Sequence, residues 1–281
     1  MSERGSEVRA RLTTMKELEE VLGAMRGMAA ARIQQGERAQ LAAQEYSRRI
    51  GTAFASLSEG DVAAPSSPSQ KPSAPTLTVA LCTERGFVGA LNERVLRAAV
   101  EGAGSNEILL VGARGLAFAR EQGLTVTDAG GMATHLGGIG EVADQIGDLL
   151  AQRAARVASL VVDVVHPRRT TTGGTAVERR RLLPLDLPSR TSSRGLPPIT
   201  MLPAPALAAQ IAGELVHARL FEFVAKSFAA ANAASLEILQ AAHAHLDDML
   251  VDLRRSENML RQEEITAEVL EVITGRLNSV H

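Results

Sequence analysis

Apolar residues form a helical stripe at each end of the chain. Near the N-terminus they fall at steps of three and four positions, as on one face of a helix: Val8, Leu12, Met15, Leu18, Leu22, Met25, Ala29 and Ile33. The pattern thins through alanine-rich sequence as far as Leu57. It predicts one helix over residues 1–58, which would reach about 75 Å if it is continuous.

The second stripe lies in residues 205–281, which contain no proline beyond Pro205. Leucines recur every seven residues there, with further apolar residues beside them: Leu239, Leu246, Leu253 and Leu260, then Leu236, Met249 and Leu250. Sustained heptads indicate a coiled-coil seam. A helix of about 100 Å is too long to be buried against a small sheet, so we expect it to pair antiparallel with the N-terminal helix.

The period of the pattern changes to that of strands between the two stripes. Four short apolar runs, at 77–82, 108–111, 124–126 and 160–165, alternate with helix-like stretches at 92–101, 115–122 and 139–155. This alternation predicts a small, mostly parallel sheet covered by helices over residues 77–204, with 177–183 as an edge strand. The proline- and serine-rich stretch 59–76 is predicted to be a flexible linker.

Composition limits the partners that such a chain can bind. A hydrophobic content of 45% can support a core, and an aromatic content of 2% favours helices packed through small residues. A net charge of −2 argues against general affinity for nucleic acid or anionic membrane. The N-terminal sequence lacks a secretory apolar region, and no apolar run is long enough for a membrane span, so we expect a soluble, cytoplasmic chain.

Residues that could carry chemistry are few, and we expect no catalytic, cofactor or metal site. No Walker A pattern occurs, and the glycines at 130–131, 137–138 and 140 are predicted to form a loop before a helix at 141. His243 and His245 lie two apart on a predicted helix and point in different directions, so we expect them to face solvent or to pack weakly rather than to bind a metal. The single cysteine, Cys82, lies in a strand-like run and is expected to pack as a buried residue.

Three motifs, in order along the chain, resemble those of one known family. The segment TERGFVGALN at 83–92 resembles the (S/T)DRGLCGxLN signature of the gamma subunits of F-type ATP synthases, and VLGAMRGMAAARI at 21–33 resembles that family's first helix. The segment 254–275 is similar to the family's C-terminal YNxxRQAxITxEIxEIxxG. The residues in register there are Asn258, Arg261, Gln262, Ile265, Thr266, Glu268, Glu271 and Gly275, and those of the central signature are Arg85, Gly86, Gly89 and Asn92.

From the residues alone, the 83–92 segment needs only a structural explanation. Its two glycines can make the turn from a strand to a helix, and Asn92 can cap that helix.

The resemblance implies a fold and a function. The fold would be an antiparallel coiled coil of the terminal helices with an inserted Rossmann-like α/β domain. The coiled coil would be a central shaft inside a hexamer of alpha and beta subunits, and the α/β domain would stand against the epsilon subunit and the c-ring. Such a subunit performs no bond chemistry, needs no cofactor, and couples rotation of the ring to ATP synthesis or hydrolysis. It works on the cytoplasmic face of the inner (plasma) membrane, held there only through the complex.

The resemblance also implies roles for particular residues. Arg261 and Gln262 would contact a loop of one beta subunit, with Thr266 one turn further along. Met25 and Arg26 match a position of the opposing helix that influences coupling. Charge-assisted hydrogen bonds suit a turning rod because they are directional and can be exchanged.

The chain departs from the family pattern at several positions, which leaves alternatives open. Glu257 stands where the family has tyrosine, Val88 where it has cysteine, and Glu263 where it has alanine. These changes favour a divergent paralogue of the N-type, an ion-pumping ATPase that works mainly in hydrolysis. Two alternatives come from other classes, namely a nucleotide-binding α/β enzyme with coiled-coil termini and a non-catalytic coiled-coil adaptor.

Overall fold

A computed structural model describes residues 3–57, 76–101, 107–157, 160–185 and 200–278. Its helices and strands follow one another in the order α1 (Glu3–Leu57), β1 (Thr76–Leu81), α2 (Leu91–Glu101), β2 (Glu107–Val111), α3 (Ala113–Glu121), β3 (Asp128–Gly130), α4 (Gly138–Ala154), β4 (Val161–Arg169), β5 (Thr175–Leu183) and α5 (Ala204–Asn278). The chain divides into a chain-end unit, Met1–Met28 with Leu236–His281, and a sheet unit, Ala29–Ser235.

The chain-end unit is an antiparallel pair formed by the start of α1 and the end of α5. Leu12 packs against Leu246 and Leu250, and all three are buried. Partly buried apolar residues extend this cluster, namely Val8, Met15, Leu22 and Leu253. The predicted antiparallel coiled coil is therefore confirmed.

Two apolar residues of the predicted stripes lie outside the seam. Leu18 is 44% exposed and Met249 is 38% exposed. The residues that do face the partner helix follow alternating steps of four and three, and this spacing brings Glu19, rather than Leu18, to the seam after Met15. On α5 the same rule selects Leu250, which is one helical position away from Met249. Apolar character alone therefore does not identify the seam residues, whereas strict spacing does.

Among its described residues, the sheet unit has five strands in the order β3-β2-β1-β4-β5. The pairs β1–β2, β1–β4 and β2–β3 are parallel, and β5 pairs antiparallel with β4 as an edge strand. This is the mostly parallel sheet that the sequence predicts. Its inner strands are almost entirely buried because helices cover both faces.

Alternate residues of the strands build two separate cores. Leu77, Val79 and Leu81 of β1 pack with side chains of α4 and α5 on one face. Ala80 and Cys82 pack with side chains of α2 and α3 on the other. Burial raises the pKa of the Cys82 thiol to about 12, so this cysteine is an inert packing residue, as the sequence suggests.

Some local boundaries differ from the prediction for identifiable reasons. Residues 124–126 are not a strand, because the Leu124 N–H donates to the Ala119 carbonyl at the end of α3 and the third strand comes later, at Asp128–Gly130. Leu124 is apolar because it packs on the α2/α3 core. Gly138 and Gly140 lie inside α4 and not in a loop before it. Thr76 starts β1, and the rest of the predicted linker lies outside the described residues.

Within the sheet unit, α1 and α5 approach closely through small residues. A Cβ atom added at Gly36 would lie 2.9 Å from the Cβ of Ala229. Only glycine permits this separation, which agrees with the low aromatic content of the chain. Across the described ranges, no helix combines the length and apolar character needed to cross a bilayer.

A buried histidine makes the stability of the sheet unit depend on pH. His166 is fully buried, its ring lies 4.9 Å from that of Phe223, and burial lowers its pKa from 6.5 to about 4. Between pH 4 and 6.5 the His166 side chain is protonated in the unfolded chain but not in the folded chain. The contribution of His166 to the free energy of unfolding is therefore complete above pH 6.5. It is lost as the pH falls towards 4, by up to roughly 3 kcal/mol.

We expect His166→Leu to flatten the dependence of stability on pH over that interval. Urea unfolding of the full chain at a series of pH values between 4 and 7 measures it. The matched control is His245→Leu, because His245 is exposed and should keep the wild-type slope. An unchanged slope in His166→Leu would show that other groups cause it.

Candidate partner-binding site

The C-terminal motif residues lie on the exposed surface of α5 in the chain-end unit. Asn258, Arg261, Gln262, Thr266 and Glu268 are all exposed. The structure brings three of them, Asn258, Arg261 and Glu268, to one cleft of about 420 Å³ that α1 closes with Gly5 and Arg9. Gln262 and Thr266 are not among the residues that line this cleft, and Thr266 Oγ1 donates to the Gln262 carbonyl at 2.8 Å.

The cleft carries charges of both signs. Two guanidinium groups, of Arg9 and Arg261, share it with three carboxylates, of Glu257, Glu264 and Glu268. Because the carboxylates outnumber the guanidinium groups, the cleft suits a partner surface that offers donors or cations. Exposed groups of this kind can exchange partners at low cost, since they remain hydrated when a contact is broken.

An exposed apolar band runs along the same end of α5. The leucine heptads of the sequence, which end at Leu260, do not predict it. Its members are between 50% and 63% exposed, and they are Met259, Ile265, Val269, Leu270, Val272 and Ile273. The signal was available in the apolar steps of four and three that continue beyond the leucine heptads. Exposed apolar side chains gathered on one helix end indicate a surface that another protein covers.

Met25 and Arg26 occupy a different environment from the C-terminal motif residues. Both are partly buried on α1, and Arg26 lies four positions after Leu22, at a seam position of the chain-end unit. Two nearby apolar residues on α1, Val21 and Met28, are exposed. The sequence motif thus contains seam residues as well as surface residues.

The central signature forms the connection from β1 to α2 in the sheet unit. Asn92 lies within the first turn of α2, so it is not the cap residue that the sequence suggests. Its side chain holds the end of β1 instead, with Oδ1 accepting from the Thr83 N–H and Nδ2 donating to Thr83 Oγ1, both at 2.9 Å. Of the two glycines expected to make the turn, only Gly89 has a positive φ. The second residue of the turn with a positive φ is Phe87, at 59°.

The turn presents side chains to solvent. Phe87 is 68% exposed and Arg85 is also exposed, whereas Val88 is buried against Leu91 and Ala234. A phenylalanine in left-handed backbone conformation is strained, and such strain is commonly found where function requires a particular side-chain direction. This connection is therefore a second candidate contact surface.

Glu84 fills the N-terminus of α3. Its carboxylate Oε2 accepts from the Ala113 N–H, at the start of α3, at 3.1 Å and from the Met132 N–H at 2.9 Å. Phosphate groups bind such helix N-termini because the free N–H groups and the helix dipole attract negative charge. Since the chain supplies its own carboxylate there, the N-terminus of α3 is not free to bind a phosphate group.

The chain-end unit is an antiparallel helix pair with an exposed apolar end, and an α/β unit is inserted in sequence between its two helices. These features are typical of a structural subunit of a larger assembly. The family model described as ATP synthase matches residues 4–277. The chain belongs to this family, and within it to the gamma chains of F-type ATP synthases.

Individual relatives are similar over almost the whole chain. The ATP synthase gamma chain of Streptococcus equi subsp. equi is 22% identical and aligns over 96% of this chain and 97% of its own length. The rotor of the mitochondrial ATP synthase of Euglena gracilis superposes with a TM-score of 0.60 at 16% identity, covering 93% of this chain and 99% of that one. A second structure from the same organism, of OSCP, F1 and the c-ring, gives 0.63 at 17% identity, covering 99% and 95%.

Proposed function

We propose that this chain is the central-stalk rotor of an F-type ATP synthase or ATPase and performs no bond chemistry of its own. It couples rotation of an ion-driven membrane ring to the conformations of the catalytic sites in an alpha/beta hexamer. The family match over residues 4–277 and the likeness to a solved rotor support this assignment. The chain reaches the cytoplasmic face of the inner membrane as a peripheral part of the complex.

The observation that carries the proposal is the composition of the exposed end of α5. The apolar band gives this end a surface that favours enclosure within a ring of protein. The charged cleft beside it supplies contacts that can be made with one subunit and then with the next. A shaft needs both properties, because it must stay centred and yet leave each rotational position again.

The partners follow from the position of each surface. The alpha and beta subunits would enclose the chain-end unit, with Arg261 and Gln262 in polar contact with a beta subunit. The epsilon subunit and the c-ring would bind the sheet unit, where Arg85 and Phe87 are the exposed side chains of the central signature.

Reconstitution with the alpha and beta subunits of the same organism tests the proposal. We expect the isolated chain to have no ATPase activity, to bind the hexamer, and to raise its ATP turnover. We expect Arg261→Ala combined with Gln262→Ala to lower that turnover by about tenfold, because the loss of two polar contacts is worth roughly 1.4 kcal/mol.

The matched control is Arg254→Ala, which removes an exposed guanidinium about two turns earlier on the same helix. It should leave turnover unchanged. Equal turnover in wild type and double variant would remove Arg261 and Gln262 from the mechanism. Failure of the wild-type chain to bind the hexamer would contradict the rotor assignment itself.

A further inference from the structure

The seam of the chain-end unit is interrupted by polar residues at one level. Steps of four and three along α1 lead from Val8 through Leu12 and Met15 to Glu19, and then to Leu22. On α5 the same steps lead from Leu239 to His243 and on to Leu246. Glu19 and His243 are partly buried at positions that leucine occupies in neighbouring layers.

These two residues meet across the seam together with Asp247. One ligand atom from each of Glu19, His243 and Asp247 lies within 4.8 Å of the other two. His243 Nδ1 and Asp247 Oδ2 are 3.0 Å apart. His243 and Asp247 are four residues apart on α5 and so share one face of the helix, whereas Glu19 comes from α1.

We propose that Glu19, His243 and Asp247 bind a divalent transition-metal ion of the zinc class between the two helices. In a tetrahedral zinc site the ligand atoms are about 3.3 Å from one another, so small side-chain rotations complete the three-ligand set. One imidazole with two carboxylates suits zinc better than calcium or magnesium, which take oxygen ligands only. Water would fill the fourth position.

Such a site would join the first and last segments of the chain. The unfolded chain does not hold Glu19 beside His243, so the metal binds the folded pair in preference and stabilises it. The alternative is a purely structural role, in which the same residues form a polar layer that fixes the register of the two helices, as single polar seam residues do. The two explanations differ in whether metal binds and whether binding needs all three residues.

The test uses the full-length chain, stripped with a chelator and titrated with Zn²⁺ by calorimetry. We expect one high-affinity equivalent, and a rise in Tm with added zinc. Glu19→Gln, His243→Ala and Asp247→Asn should each weaken zinc affinity at least tenfold, since even loss of a group that only supports a metal ligand costs about 10- to 100-fold. Co²⁺ bound in place of zinc should give visible absorption bands that each of the three variants loses.

His245→Ala is the matched control, because His245 is an exposed histidine two residues from His243 on the same helix. It should bind zinc and gain Tm as the wild type does. Far-ultraviolet circular dichroism without metal shows whether each variant keeps its helices, and Glu19→Gln and Asp247→Asn preserve side-chain size. Equal zinc affinity in the wild type and His243→Ala, or no rise in Tm with zinc, would overturn the proposal and leave a polar layer only.

Discussion

Leu250→Asp is expected to separate the two helices of the chain-end unit. Leu250 is 2% exposed and packs against Leu12 and Leu246 in the seam. The substitution removes a buried leucine side chain and leaves an unpaired carboxylate among apolar groups. Truncating a buried leucine costs about 2 to 5 kcal/mol, and the buried charge adds several more, so we expect a loss of at least about 5 kcal/mol.

Hydrogen exchange of the full chain measures this effect where it occurs. Amides of residues 3–28 and 236–278 should lose protection, while amides of the sheet should keep it because they belong to the other unit. The matched control is Met249→Asp, in which the same charge is placed one residue earlier on a side chain that is 38% exposed. Equal loss of protection in the two variants would mean that the seam does not run through Leu250.

The same substitution separates two explanations of rotor function. If the helix pair must be intact to act on the hexamer, the chain with Leu250→Asp should no longer raise the ATP turnover of the hexamer. If the exposed end of α5 alone activates the hexamer, stimulation of turnover should survive. The variant therefore tests whether the seam serves coupling or only the stability of the chain.

The two helices and the sheet could be predicted because their patterns are regular over many residues. Leu77, Val79 and Leu81 alternate with Ala80 and Cys82 as a strand covered on both faces requires. The predictions that were wrong concern short local segments. Residues 124–126 are apolar like a strand, but they pack against a core without pairing in the sheet, and a three-residue apolar run does not distinguish these two structures.

The candidate site was predictable only in part. Sequence resemblance pointed to Arg261, Gln262 and Ile265 on the exposed end of α5, but not to the rest of the apolar band. Glu84 could not be predicted, because its partners at Ala113 and Met132 come together only through the folding of the sheet. Glu19 and His243 were missed because polar residues at seam positions are invisible to a search for apolar ones. Strict spacing would have placed both of them in the seam.

Gly112→Ala is expected to destabilise the sheet unit by about 4 kcal/mol. Gly112 connects β2 to α3 with a φ of 113°, a conformation that only glycine adopts readily. A Cβ atom there would also lie 2.7 Å from the carbonyl carbon and oxygen of Cys82 and 2.8 Å from the Thr83 carbonyl oxygen. Backbone strain contributes about 2 kcal/mol and overpacking about 2 kcal/mol.

Gly123→Ala separates the two contributions, because Gly123 has a φ of 66° but no atom within 4 Å of the added Cβ. It should cost only the strain of the left-handed backbone, about 1 to 2 kcal/mol. Urea unfolding followed by exchange of the β1 and β2 amides compares the variants. Because the atoms that meet the Gly112 Cβ belong to Cys82 and Thr83, we expect relief of the overlap to displace the segment that carries Arg85 and Phe87. Gly112→Ala should therefore also weaken the binding that the central signature provides, whereas Gly123→Ala should not. Equal losses in the free energy of unfolding of the two variants would show that the overlap at Cys82 is absorbed without displacement.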